Sequence, residues 1–448
     1  MPEDREVVGP SLIFGLNDRP DPAKTFLAAA AHLFAIVASI LTAPLLIARA
    51  VGLDSDATQY VISASLVVSG IATFIQTFRI GIVGSGLLAV QGTSFAFIGT
   101  MAYAASQLPP TTSQEELLGV LLGTAAVGGG MIVFLSFFLD TVRRVITPTV
   151  TGVTICLLGL SLLWSALGNS WRLLSMASDD ELLPLTFEWL FTLGIITLLA
   201  TRNNPYARLV CVPTGLFAGL LLAAILRGWS MPTPNLDQEL FLLQIMPVSL
   251  KFSPVALLVL LPIFLVSLTE TIGDITATSL VSKQPIKGKE YFVRLRGGVL
   301  GDGFNTILAS LLGAFPNTTF SQNNAVIRLT GIASRQVGYL LALFLIVLGS
   351  IPAVSSLVVN IPGSVLNSTT AFLFAMIAYT GLEIVRAHAK QKGLRILIVS
   401  ICGAFGLIFL PQLLLSLGIE TPAYASILMG FPVATGALIA IVADKLIH

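Results

Sequence analysis

Charge is what this chain has least of. Only 10% of its 448 residues are Asp, Glu, Lys or Arg, and the two signs nearly cancel to a formal net charge of +1. Such a balance leaves no basic face for nucleic acid, and that function class is excluded. Histidine and cysteine are also scarce, at three each. Cys156, Cys211 and Cys402 fall inside apolar runs with no paired spacing, so they read as small core hydrophobes and not as metal ligands or a disulfide framework. No metal cluster, no nucleophile beside a base and no aspartate-rich diphosphate motif can be assembled, which argues against a membrane-embedded enzyme; no cofactor is expected. The start, MPEDREVVGPSLIFGLNDRPDP, is polar and of mixed charge. It lacks the short apolar core and small-residue cleavage site of a secretory signal.

What is present in excess is apolar surface. Hydrophobic residues make up 55% of the chain and the mean hydropathy is +0.91, the composition of an all-α polytopic membrane protein embedded in lipid. Apolar runs of span length occur near 25–48, 58–78, 82–105, 115–140, 146–168, 186–201 and 209–226, then near 253–281, 295–314, 318–333, 336–358, 362–386, 395–417 and 422–445. That predicts about fourteen transmembrane spans. With the N-terminus inside, every Lys and Arg except Arg49, Arg172, Arg227 and Lys251 falls on the cytoplasmic side, while Asp54, Asp56, Asp179, Asp180, Glu181, Asp237 and Glu239 fall outside. The positive-inside rule therefore favours an even number of spans with both termini cytoplasmic; a cell inner membrane is the expected location.

One stretch stands out: Leu265–Leu280, LVSLTETIGDITATSL, carries two carboxylates within an apolar run. Glu270 and Asp274 are four residues apart and share a helix face. An acid at bilayer depth costs about 2.5–3.5 kcal/mol on insertion scales, so such a pair is turned toward a cavity, a partner or a substrate. The bland alternative is a structural ion pair, but no Lys or Arg lies between Phe252 and Ser282 to supply it locally. The small residues Gly273, Thr276, Ala277, Thr278 and Ser279 would let another backbone come close. The acids are read as the floor of a binding site.

Two other runs do not look like ordinary spans. The third begins GIVGSGLLAVQGTSFAFIG, with Gln91, Thr93 and Ser94 among glycines, and the tenth reads PNTTFSQNNAVIRLTG, too polar along its first half to face lipid. Both are predicted to be discontinuous helices whose first half is extended backbone. Irregular backbone survives at this depth only when buried in protein or lining a cavity, and each half-helix then points its positive N-terminal end there. With about seven spans per half, the third and tenth correspond, which is the trace of an inverted repeat with substrate held between broken segments. Close helix packing by the glycines and a plain QNN loop is the competing explanation.

SQNNAVIRLTG (Ser321–Gly331), ETIGDITATS (Glu270–Ser279), RGGVLGDG (Arg296–Gly303), GSGLLAVQGTSF (Gly84–Phe95) and RRVITPTVTG (Arg143–Gly152) together resemble the signatures of the nucleobase-ascorbate transporters, also called nucleobase:cation symporter-2, in their purine branch. The likeness runs in order from His32 to about Pro362. It implies two inverted seven-span repeats, with short extended segments in spans three and ten. It also implies a core domain in two parts, 25–140 and 253–358, and a gate domain in two parts, 141–227 and 359–448, after a cytoplasmic segment 1–24. Members are usually homodimers. By that likeness Glu270 and Gln322 grip the base, the backbone at Phe95 and Ser321 completes the site, Asn323 joins it, and Asp274 and Asp302 tune or support it, with Ser94. His32 and Thr330 match positions that affect affinity or specificity. From the residues alone, His32 is first a packing residue and Asp302, between two glycines, is equally a helix cap.

The chemistry agrees. An oxopurine such as xanthine or urate alternates N–H donors with C=O acceptors; a carboxylate accepts from the former and a glutamine amide matches an adjacent N–H and C=O pair. A glutamate where this chain has Gln322 is the resemblance's uracil pattern, so a purine is favoured here. A carboxyl that is neutral in one state and charged in another is what proton coupling requires, so H+ is the expected coupling ion, with Na+ as the alternative. Ala325 and Arg328 depart from the usual pattern and bear on which purine is preferred. The rival functions are a passive channel, an anion exchanger on the same fold, or a symporter for guanine, hypoxanthine or uracil; an acid rather than a base at the site argues against anion transport.

Overall fold

The computed structural model describes residues 12–230, 249–417 and 432–447. Arg5, Asp237, Glu239 and the first part of the last expected span lie outside them. Helices begin where local chemistry satisfies their free N–H groups. Asp21 accepts from the Lys24 N–H ahead of α1 (Pro22–Val51), Asp54 caps α2 (Ser55–Phe78), and α3 (Phe97–Ser106) follows the third run's extended half. Ser113 caps α4 (Gln114–Ser136), the short α5 (Leu139–Val145) links, and Thr147 caps α6 (Pro148–Ser175). Then come α7 (Asp179–Ala200), α8 (Pro205–Leu209) and α9 (Cys211–Arg227). The second half holds α10 (Pro254–Val281), α11 (Gly288–Leu311), α12 (Gln322–Thr330), α13 (Arg335–Ser350), α14 (Pro352–Val359), α15 (Gly363–Ser416) and α16 (Pro432–Leu446).

These elements follow the fourteen expected segments in order. Among the described residues seven helices are long and apolar enough to cross a membrane alone, and α13 with α14 makes an eighth that bends by 73°. α15 is one 54-residue helix by its hydrogen bonds, far longer than a bilayer is thick. It nonetheless doubles back. Ala378 packs at the level of Gly159 and Val385 at that of Gly152, whereas beyond the basic stretch Lys392 reaches Asp444, which bonds Thr147, and Ala404 packs with Gly436 against Leu157. Its two halves therefore run in opposite directions, as the expected twelfth and thirteenth spans. The close approach of α6 to α15 needs glycine: a methyl group at Gly381 would overlap Cys156.

The helices form two bundles. One packs α2 on α13, α11 and α10 on α4, and α1 on α2, α3 and α13; the other packs α15 and α16 on α6 and joins α7 to α9 and α15. The broken segments meet inside the first. β1 (Gln91–Thr93) and β2 (Asn317–Thr319) pair antiparallel, Gln91 opposite Thr319 and Thr93 opposite Asn317. The Phe320 N–H donates to the Val90 carbonyl at 2.9 Å and the Ser94 N–H to Pro316 at 2.9 Å, extending the ladder. Each strand thus supplies the hydrogen bonds that lipid could not give the other. Gly92 lies where the Phe320 ring crosses it and leaves no room for a side chain.

Candidate functional site

Both strands lead directly into half-helices. Ser94 and Phe95 precede α3, and Ser321 precedes α12, whose first residue is Gln322. α10 passes beside them and brings Glu270 and Asp274. The result is a cavity of about 70 Å³ between the two bundles. On one side are Glu270, Asp274, Ser94, Phe95, Thr318 to Phe320, Ser321 and Gln322; on the other are Ile155 and Leu158 of α6 with Ile377, Thr380 and Ile384 of α15. One wall is polar and the facing wall is nearly all aliphatic, a shape suited to a flat ring with hydrogen-bonding edges.

The two acids are held differently. Asp274 accepts from the Thr319 hydroxyl at 3.0 Å, which ties α10 to β2, and Thr278 bridges the Asp274 carbonyl to Asn324 at 2.7 Å each. Glu270 accepts no hydrogen bond from any described side chain or backbone group, so its carboxylate is free to face a ligand. Asp302 lies behind it, fully buried on α11 and accepting from Thr271 at 2.8 Å, with Gln91 of β1 alongside. Three carboxylates share this small region with no Lys or Arg in the cavity wall. The N–H groups of Phe95 and Ser321 also find no acceptor among the described residues. Two positive helix ends and one free carboxylate thus converge on one space.

Of the expected site residues, Glu270, Gln322, Phe95, Ser321, Asp274 and Ser94 line the cavity. Asn323 does not: it is buried, and its amide donates back to the Leu88 carbonyl at 2.5 Å, holding α12 to the segment before β1. His32 is wholly buried beside Asn323, also behind the wall. Thr330 sits at the far end of α12, where its hydroxyl donates to Val326 and accepts from the Ile332 N–H. Asp302 is no cap, since it stands in the middle of α11; the glycines before it, Gly297 and Gly298, serve close contact with Gly84 and Ile275. Gly273 likewise faces Thr151 of α6 across the seam. Sequence reasoning missed the whole opposing wall, because Ile155, Leu158, Ile377 and Ile384 carry no signal that separates them from lipid-facing aliphatics.

A second, larger cavity of about 830 Å³ lies between α1, α6, α7 and α15 at the end of the molecule that carries Arg49, Arg172 and Arg227. Phe374 is in its wall and Phe95 is in the wall of the smaller one. Their rings meet edge to face at 5.4 Å, so this aromatic pair separates the two spaces. Near the large cavity a buried ion pair also went unnoticed in the sequence. Glu188, 0% exposed, takes Nε and Nη2 of Arg227 at 2.6 and 2.9 Å and the Ser364 hydroxyl at 2.5 Å, clamping α7, α9 and α15 together.

The family model Xan_ur_permease, described as a permease family, matches residues 23–413. The chain belongs to this family, the nucleobase-ascorbate transporters. It is 37% identical over 437 residues to the xanthine permease XanP of Escherichia coli K12, covering 96% of this chain and 93% of that one. It is 31% identical to the uric acid-xanthine permease of Emericella nidulans, over 89% and 75% of the two chains. Among solved structures it resembles the transmembrane domain of the cyanobacterial bicarbonate transporter BicA, TM-score 0.57 at 13% identity over 96% and 99% of the chains. It also resembles SLC26A9, TM-score 0.59 at 13% identity over 95% and 65%. At that identity the likeness is one of fold: a core and a gate built as inverted repeats. The family's members are permeases and not enzymes.

Proposed function

We propose that this permease takes up an oxopurine base, xanthine or urate, together with a proton by alternating access. The observation that carries the reading is the pairing, in one cavity, of the unpartnered Glu270 carboxylate with the Gln322 amide. Glu270 accepts from ring N–H groups, and Gln322 offers one acceptor and two donors to a neighbouring N–H and C=O pair. The free N–H groups of Phe95 and Ser321 add donors for exocyclic oxygens, and the aliphatic residues of α6 and α15 cover the opposite face of the ring. A base missing one matching group leaves a buried partner unpaired and is rejected strongly. The names of the relatives above favour the same substrates.

In this reading residues 25–140 with 253–358 form the core and 141–227 with 359–448 the gate, and the substrate sits on the seam between them. Sliding of one against the other exposes it to either side in turn. The Phe95–Phe374 pair is the barrier on the side of the large cavity. Glu270 is the proton-linked group: of the three clustered carboxylates it is the one that no described donor engages, Asp274 being held by Thr319 and Asp302 by Thr271. The protein acts as a homodimer in the inner membrane with both termini cytoplasmic, a topology that the distribution of Lys and Arg supports. Among the described residues no cationic side chain lines the cavity, which weighs against an anion exchanger.

The test is uptake of radiolabelled xanthine, urate, guanine, uracil and ascorbate by cells expressing the chain, with and without a protonophore. Accumulation of xanthine or urate that collapses with the protonophore is expected. Uptake of uracil alone would remove the purine reading, and accumulation indifferent to the protonophore would remove the proton.

A further inference from the structure

We infer that the basic end of the core bundle carries a site for the phosphate-bearing headgroup of an anionic phospholipid. Three arginines converge there from separate elements: Arg79 at the end of α2, Arg294 in the first turns of α11 and Arg335 at the start of α13. They lie close enough for Arg79 and Arg335 both to act on Arg294 electrostatically. Arg335 donates Nε–H to the Gly86 carbonyl at 2.7 Å, and the Arg79 and Arg335 side chains both pack on Gly86. Arg294 is only 7% exposed, and its Nη2 reaches Gln284 at 3.1 Å and Glu290 at 3.2 Å.

The cluster is short of anions. Glu290, itself two-thirds exposed, is the acid that pairs with Arg294, and the Asp18 carboxylate, whose backbone meets Ser334, accepts from the Gly15 N–H and forms no ion pair with the three arginines. Buried Nη1 of Arg294 and Nε of Arg79 have no acceptor among the described residues. A guanidinium withdrawn from water beside two partly exposed ones calls for an oxyanion, and phosphate is the one their fork geometry suits best. Basic pockets between helix ends are where acidic lipid headgroups bind.

The surroundings point to a lipid and not to a soluble anion. Phe74 and Phe78 stack at 5.3 Å, and both contact Tyr339 at 5.5 and 6.0 Å. With Phe78, Ile80 and Ile82 more than half exposed, they form an apolar strip that begins where the arginines end. Such an aromatic belt sits at headgroup level, with room for acyl chains beside the strip. The site is distinct from the transport cavity and does not depend on which base is carried.

Native mass spectrometry of the detergent-purified full chain titrated with phosphatidylglycerol, phosphatidylcholine or inorganic phosphate tests it. Phosphatidylglycerol should remain bound in preference to phosphatidylcholine, and Arg79→Gln should lower its retention several-fold while eluting as the same monodisperse species. Arg294→Gln should lower it further, and Arg294→Lys should restore part of it. If Arg294→Gln does not fold, Arg79→Gln carries the test alone. Equal retention of the two lipids, or retention unchanged in Arg79→Gln, would overturn the proposal. Inorganic phosphate competing at concentrations equal to the lipid would also overturn it, because the site would then be one for a soluble anion.

Discussion

Replacing Glu270 with Gln separates a binding role from a structural one, because the structure gives this carboxylate nothing to hold. Asp274 bonds Thr319 and Asp302 bonds Thr271, but no described group donates to Glu270. The change should therefore leave the thermal unfolding midpoint of the purified protein unchanged, or raise it slightly as one of three crowded carboxylates is removed. Binding should respond oppositely. A hydrogen bond to a charged acceptor is worth about 1.5–3 kcal/mol, which at about 1.4 kcal/mol per tenfold is a loss of roughly 10- to 150-fold in purine affinity. The new amide also sets an N–H donor against a ring N–H, so the upper half of that range is expected. Calorimetric or scintillation-proximity binding of the transported base, alongside an unfolding scan, reads both quantities on one sample. Unchanged affinity would refute the site, and a parallel collapse of affinity and midpoint would show that Glu270 is structural.

Arg227→Ala leaves Glu188 buried with only Ser364 as partner and should destabilise the gate by about 3–5 kcal/mol, seen as a lowered unfolding midpoint; the double change Glu188→Gln with Arg227→Met should recover much of it, and failure to recover would mean the ion pair is not the cause. Phe374→Ala removes half of the ring pair between the two cavities, so a Ser94→Cys reporter in a Cys402→Ser background should react several-fold faster with a membrane-impermeant thiol reagent added outside, whereas an unchanged rate would place the barrier elsewhere. Gly92→Val forces a side chain into the Phe320 ring and should abolish transport and β1–β2 pairing, while Gly99→Ala, with open space around it, should be tolerated; uptake and surface expression of both variants check this.

What the sequence made legible follows from where polarity is costly. Glycine-rich and Asn/Gln-rich runs stand out within apolar spans because lipid forbids unpaired backbone, so both broken segments could be placed, and β1 and β2 lie at their first halves. Glu270 and Asp274 stood out for the same reason. Glu188 carries an identical signal, an acid in an apolar run, yet its partner Arg227 is 39 residues away at the C-terminal end of another helix. Asp302 misled in the opposite way: its flanking glycines look like a helix start, but they serve close approach, Gly301 to Gln76 and Gly84 and Gly303 to Gly129 and Val133 of α4. Asn323 belongs to the same polar sequence neighbourhood as the cavity residues, and only the turn of α12 decides that Gln322 faces the cavity while Asn323 turns inward; His32 stands alone in an apolar run. The aliphatic wall of α6 and α15 was invisible because packing against a ligand and packing against lipid select the same side chains.

The most direct test of the central claim is a structure of the full chain with xanthine or urate bound. The base should lie between the Glu270 and Gln322 side chains on one face and Ile155 and Ile377 on the other, within hydrogen-bond distance of the Phe95 or Ser321 backbone nitrogen. Ligand found in the large cavity behind Phe374, or anywhere out of reach of Glu270, would contradict the account.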